Sequence, residues 1–160
     1  MSEICEMQTF VVLLTLLSVC RSLDPCLNHQ VIDDPYRSTG YEIQPGDSPI
    51  CDEKLKVGWY KFINEVGGNL PEHIVNPHHC GTVAPIWMRG VHPSVADNVV
   101  DRVACVNFNG FFQGCLTAIP IKVKNCSDYY VYYLRPPHGC AMGYCAGMLS
   151  IFLPIQLSMN

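Results

Sequence analysis

The sequence predicts a mostly β, small, disulfide-stapled, sandwich-like single domain with a long N-terminal loop and little helix. Three observations carry that expectation. The 160-residue chain has ten cysteines. Setting aside Cys5 and Cys20 in the apolar N-terminus, Cys26, Cys51, Cys80, Cys105, Cys115, Cys126, Cys140 and Cys145 form an even set of the kind that builds a disulfide framework in exported chains. Short runs rich in Val, Ile, Tyr, Phe and Trp succeed one another with turn residues between them. The pair Asn109-Gly110, flanked by Val106, Phe108, Phe111 and Phe112, suits a type I′ hairpin turn, because both positions tolerate positive φ.

Segment 1–22 reads as a signal peptide. Its apolar core at 9–20 has the right length and is too short to span a bilayer. Small residues at Cys20 and Ser22 suit a cut before Leu23, with a cut after Cys20 as the alternative; Glu3 and Glu6 stand where Lys or Arg is usual. The implied compartment is secreted, extracellular and oxidising, with no stable membrane insertion once the signal is removed. The remainder of the chain has room for one domain, expected over 24–146. With 49% hydrophobic and 15% charged residues a core can form. The net charge of −4 is mild, and no basic stripe offers a nucleic-acid footprint.

Residues 35–52 are rich in Pro, Gly, Ser and Asp without an apolar period, which predicts a surface loop. Strand signals stand at 58–63, 84–88, 99–108, 111–124 and 129–134. In the fourth, Ile119, Ile121 and Val123 share one face and Lys122 and Lys124 the other. In the fifth, Tyr130, Tyr132 and Leu134 oppose Tyr129, Val131 and Tyr133. Pro120 belongs at an edge, since it cannot donate to a ladder. Val95, Val99 and Val103 recur every four residues after Ser94, a possible helix cap, but the density of β-branched residues favours strand from Val99 on. A two-residue loop at Asn109-Gly110 pairs Phe108 with Phe111 and Cys105 with Gly114; a bulge at Gly114 then lets Cys105 and Cys115 bond across the hairpin. The residues alone argue for no other bridge, because eight cysteines allow 105 pairings. The tail, 147–160, is apolar but too short and interrupted to span a membrane, and no polar spacer precedes it as a lipid-anchor signal requires. It reads as a disordered segment or as the end of a truncated or alternatively spliced product.

No metal or other cofactor is expected. The cluster His78-His79-Cys80 with His138, Cys140 and Cys145 would need thiolates to hold zinc, and an oxidising compartment removes them. Neither a Cys-x-x-Cys pair, a Gly-x-Ser-x-Gly elbow, a His-Glu-x-x-His helix nor a phosphate loop is present, so no catalytic residue is assigned and the chain reads as no enzyme. Trp59, Tyr60, Phe62, Trp87, Tyr129, Tyr130, Tyr132 and Tyr133 read mainly as core and cross-strand pairs, with Tyr129 and Tyr133 the exposed members. Asn125-Cys126-Ser127 is the one glycosylation sequon after the signal, and its central cysteine sets Asn125 occupancy against disulfide formation.

Six ordered motifs carry a family resemblance: Asp24-Pro25-Cys26; Asp34-Pro35-Tyr36-Arg37-Ser38-Thr39; Gly58-Trp59-Tyr60-Lys61-Phe62; His79-Cys80-Gly81-Thr82 with Ala84-Pro85-Ile86-Trp87-Met88; Tyr129-Tyr130-Val131-Tyr132; and Gly143-Tyr144-Cys145. Over 24–146 the chain resembles the cysteine-rich extracellular domain of uromodulin, the pancreatic zymogen-granule membrane glycoprotein and the von Willebrand factor D and EGF domain-containing proteins. The resemblance implies a non-catalytic, mostly β module and the pairing Cys26-Cys126, Cys51-Cys140, Cys80-Cys145 and Cys105-Cys115. It implies an extracellular protein or glycan as partner. The function expected is that of a secreted interaction module, a fragment or short form of a larger mosaic glycoprotein; the alternative is a stand-alone secreted disulfide-rich inhibitor or ligand. The polymerisation module and EGF neighbours that usually accompany the domain have no counterpart in these residues. The glycan that bacterial pili recognise as a decoy in uromodulin-type members has no acceptor at Tyr133-Leu134-Arg135. Ten-cysteine members carry two further cysteines, at the places held here by Ile74 and Gly114. Losing both keeps the count even, so these two residues are expected within disulfide reach, about 7 Å between Cα atoms.

Overall fold

The computed structural model of the chain describes residues 24–63, 68–109 and 111–147. The expected signal segment, 1–22, and the tail beyond Gly147 lie outside the described residues.

Seven strands, β1 (Gln30–Asp33), β2 (Gly58–Ile63), β3 (Ala84–Arg89), β4 (Val99–Val106), β5 (Thr117–Asn125), β6 (Tyr130–Leu134) and β7 (Met142–Tyr144), form one sheet in the order β1-β2-β6-β5-β4-β3-β7. The inner neighbours pair antiparallel. Each edge strand joins parallel, β1 on β2 and β7 on β3. Helix among the described residues is limited to 3₁₀ turns of three or four residues.

The alternation read in β5 decides its orientation. Ile119, Ile121 and Val123 are buried, while Ala118, Pro120 and Lys122 are exposed. Tyr60 and Phe62 of β2 share a core with Ile86 and Met88 of β3 and Tyr144 of β7, although three strands separate β2 from β3 in the order. The sheet therefore curls around one apolar core. Burying each Val, Ile or Leu there contributes roughly 1.5–3 kcal/mol.

β3 departs from simple alternation, since Ala84 to Met88 are all buried. Its second face, with that of β4, meets a smaller cluster in which Trp87 and Cys105 pack with Val75, Cys80 and Cys145. Two of the four cystines, Cys80–Cys145 and Cys105–Cys115, lie in this back layer. Disulfides link Cys26 with Cys126, Cys51 with Cys140, Cys80 with Cys145 and Cys105 with Cys115, at Cα separations of 5.7, 4.8, 5.3 and 4.6 Å.

Three expectations need correction. The connection after β4 is no two-residue hairpin: the register closes at Val106 opposite Thr117, so Phe108 does not face Phe111 and Cys105 faces Ala118, not Gly114. Asn109 does take positive φ, but so do Phe112, Gln113 and Gly114, and the chain turns over a longer path. The cause lies outside the turn. Asn107 donates its N–H to the Pro85 carbonyl of β3 and its side-chain amide to the Val75 carbonyl at 2.8 Å, and Trp87 Nε1 donates to the Gly114 carbonyl at 2.7 Å. The run expected as strand from 111 accordingly begins only at Thr117. Second, β1 and β7 arise where no strand was expected. Third, Pro120 sits in a central strand, though in a half of it where β4 supplies Val103 as partner and the β6 register begins only at Lys122.

The helix-like valine period resolves into a single turn, Val95–Asp97. Asp97 accepts from both Ser94 N–H and Oγ–H at 2.8 Å, and Asn98 at positive φ ends the turn before β4 begins.

Candidate functional site

The loop 35–52 carries the most densely partnered polar groups. Asp34 accepts from the Tyr36 N–H, and Pro35 opens the short turn with its fixed φ. This aims Arg37 inward. Its Nη1 and Nη2 donate to Asp52 Oδ2 and Oδ1, both at 2.7 Å, and Nη1 also to the Tyr144 carbonyl at 3.0 Å. Asp52 accepts in turn from the Tyr144 N–H. A buried guanidinium–carboxylate fork of this kind latches the loop onto β7, and removing one partner costs about 3–5 kcal/mol through the stranded charge. Thr39 Oγ1 donates to the Gly147 carbonyl and Ser38 Oγ accepts from the Gly40 N–H.

Of the large side chains at this turn, Arg37 goes inward and Tyr36 goes to solvent, 56% exposed. The Tyr36 ring meets Tyr41 edge-on, with centroids 4.9 Å apart, and Tyr41 donates its hydroxyl to Asp47 at 2.8 Å. The same carboxylate oxygen accepts the Gln44 N–H. The Gln44 N–H and then the Tyr41 hydroxyl hold the Asp47 carboxyl below its usual range. These rings wall a cavity of about 230 Å³ floored by Ile43, Ile50 and Gly81. Gly81 lies at φ +62°, and a Cβ there would meet Ile50 Cδ1 at 3.0 Å and the Tyr36 carbonyl at 3.1 Å, so the floor requires glycine.

The strand aromatics divide by burial. Tyr60, Phe62, Trp87 and Tyr132 are buried, while Trp59, Tyr129, Tyr130 and Tyr133 are half-buried. Trp59 and Tyr133 are register partners whose rings meet at 5.5 Å, and Lys61 Nζ lies 3.8 Å above the Tyr129 ring. On the core side, His92 Nε2 lies 2.7 Å from the Tyr132 hydroxyl and its Nδ1 bonds Glu72. The Tyr132 oxygen also accepts the Leu70 N–H; because the Glu72 carboxylate can only accept, a neutral His92 carries its proton on Nδ1 and takes the Tyr132 hydroxyl hydrogen bond at Nε2. Burial holds the His92 ring below its ordinary pKa and drives the Tyr132 hydroxyl far above its own. The chain of bonds is saturated and its tyrosine fully buried, so it braces the core.

His78 and His138 are exposed, and Cys80 is bonded to Cys145. Among the described residues, the one His/Cys/Asp/Glu group close enough to share an ion is Cys51, Glu53 and Cys140, whose sulfurs are bonded to each other. Asn125 Nδ2 donates to the Pro93 carbonyl at 2.9 Å and lies 3.2 Å from the Tyr130 hydroxyl. Its Oδ1 accepts the Ser127 N–H.

Sequence patterning ranks the strand aromatics and passes over Tyr36, Tyr41 and Asp47. The signal that could find them is two tyrosines and an aspartate within a Pro/Gly-rich stretch.

The uromodulin-like domain family matches this chain over residues 60–146. The chain is 40% identical over 126 residues to the pancreatic secretory granule membrane major glycoprotein GP2 of Rattus norvegicus, covering 76% of this chain and 23% of that protein. The Canis lupus familiaris GP2 is also 40% identical, covering 78% and 24%. Uromodulin of Mus musculus is 35% identical over 134 residues, covering 83% and 20%. The chain thus spans about a quarter or less of the length of these curated relatives. Four cystines in a curled β domain agree with an oxidising, extracellular setting. By its sequence, this extracellular chain belongs to the uromodulin-like domain family.

Proposed function

We propose that the domain is a secreted, non-catalytic interaction module, released by cleavage of segment 1–22 and working as a fragment or short form of a larger mosaic glycoprotein. The observation that carries this is closure: the family match at 60–146 sits inside a fold whose first described segment is tied by Cys26–Cys126 and whose last by Cys80–Cys145. The buried ionisable groups support the same reading. Arg37, Asp52, Tyr132 and Tyr144 are committed to bonds that hold the frame.

The proposal includes the disulfide pairing and the glycan. Both amide hydrogens of Asn125 have acceptors in the folded corner, so a glycan there has to be attached before Cys26 and Cys126 close it. Non-reducing peptide mapping tests the pairing. Enzymatic deglycosylation tests Asn125, with higher occupancy expected in a Cys26→Ser variant.

Function is tested by capture from extracellular fluid on the folded, oxidised domain, followed by identification of what is retained. A protein or glycan retained by the oxidised domain and lost after its reduction and alkylation supports the module. Equal retention by both forms, or by neither, overturns it.

A further inference from the structure

We propose that the cup formed by Tyr36, Tyr41 and Asp47 binds the cationic side chain, arginine or lysine, of an extracellular polypeptide. The inference rests on the interaction-module reading and deepens it. Within the segment 34–39, Asp34 caps, Pro35 fixes the turn, Arg37 pairs with Asp52, and Ser38 and Thr39 bond backbone. The Tyr36 ring has no such task, yet the segment aims it over a concave site. The glycine floor at Gly81 is what lets the chain pass beneath it.

The chemistry of the cup selects for charge. Two tyrosine rings and an ionised carboxylate, with one oxygen accepting from Tyr41 and Gln44, suit a guanidinium or ammonium group that stacks on a ring and bonds the remaining oxygen. The surroundings agree. Asp47 is the one charged group among the residues lining the cup, Glu42 and Glu53 lie in the same loop, and Arg37 and Asp52 neutralise each other. The volume of about 230 Å³ accepts one long side chain and not a folded domain.

The test is an NMR titration of the intact oxidised domain with N-acetyl-arginine amide and N-acetyl-lysine amide, using the citrulline analogue as a neutral probe of the same shape. The expected result is saturable shifts at Tyr36, Tyr41, Gln44 and Asp47, weaker at high salt and several-fold weaker with citrulline. Tyr36→Phe retains binding, while Tyr36→Ala and Asp47→Asn each weaken it roughly tenfold, a change of about 1.4 kcal/mol. Both positions face solvent, so unchanged unfolding midpoints keep the comparison valid. Equal shifts from citrulline, no saturable shift at these residues, or undiminished binding by both variants overturns the proposal. The titration needs no natural partner, so the cup can fail while capture by the module succeeds, and the reverse.

Discussion

On one face of β3 and β4, Ile86, Met88, Ala104 and Val106 join a core fed by six strands. On the other, Trp87 and Cys105 pack in a smaller cluster with Val75, Cys80 and Cys145, with Val103 and Cys115 at the margin. The first cluster is large enough to be held by buried area, and each member contributes a share. The second has one large side chain and covalent bonds in place of bulk. Small domains use cystines where apolar mass runs short, and two of the four here, Cys80–Cys145 and Cys105–Cys115, stand in for bulk on this face. The two faces should therefore fail differently.

The most damaging single change to the back layer is Trp87→Ala. It removes the largest side chain of the cluster and strands the Gly114 carbonyl, which accepts the indole N–H at 2.7 Å. An effect near the top of the usual range, about 5 kcal/mol, is expected in equilibrium unfolding. A variant as stable as the parent would show that the cystines alone support this face.

Replacing Cys80 and Cys145 together by alanine comes next. The bridge spans 65 residues and both its cysteines are fully buried. Loop entropy gives about 4 kcal/mol, against about 2.7 kcal/mol for the Cys105–Cys115 loop, which spans 10 residues. The measured ratio of the two losses separates chain length from packing: equal losses would mean that contacts around the sulfurs matter more than the size of the loop.

These two regions also mark how far the sequence can be read. The main core is legible because Ile119, Ile121 and Val123 alternate with polar or exposed neighbours, and that period orients the whole sheet. The back layer is not, because Trp87 and Cys105 lie on strands whose other face carries the alternation, and their partners come from an irregular segment. β1 and β7 are four and three residues long and pair with strands distant in sequence, so no local period announces them. Arg37 and Asp52 sit in a loop whose composition reads as solvent-exposed, and only their mutual fork makes burial tolerable. The cup escapes sequence reasoning for the same reason, since Tyr36 and Tyr41 belong to that loop.

A third change adds to the back layer. Ile74 lies directly over Gly114: a Cβ built on the glycine would come 2.6 Å from Ile74 Cγ2. Gly114→Ala alone should destabilise by about 1–2 kcal/mol, because φ is +72° there and the methyl has no room. Ile74→Cys with Gly114→Cys removes the obstructing side chain and closes a loop of about 40 residues, for an entropic gain of about 4 kcal/mol less the positive-φ strain. A net gain of about 2 kcal/mol with loss of both thiols is expected. Two titratable thiols in the folded variant would show that the sites lie beyond disulfide reach.

The smaller of the two tryptophan losses belongs to Trp59. Trp59 and Trp87 both sit in strands and both look like anchors in the sequence, but Trp59 is only half-buried and packs on the outer face of β2 against Tyr133, edge to face at 5.5 Å. Among the described residues no second layer of strands covers this pair, and what Trp59→Ala removes is one cross-strand aromatic contact and part of its buried area. An aromatic pair of this geometry contributes about 1 kcal/mol beyond burial. With the lost burial added to the pair, Trp59→Ala should lower stability by about 2 kcal/mol, well below Trp87→Ala, with Trp59→Phe restoring most of it and secretion close to that of the parent. The two tryptophans measured side by side place the division of the fold where the burial pattern puts it, between a covered face on β3 and an open one on β2. A loss at Trp59 as large as that at Trp87 would mean that the outer aromatic face is itself covered in the native protein.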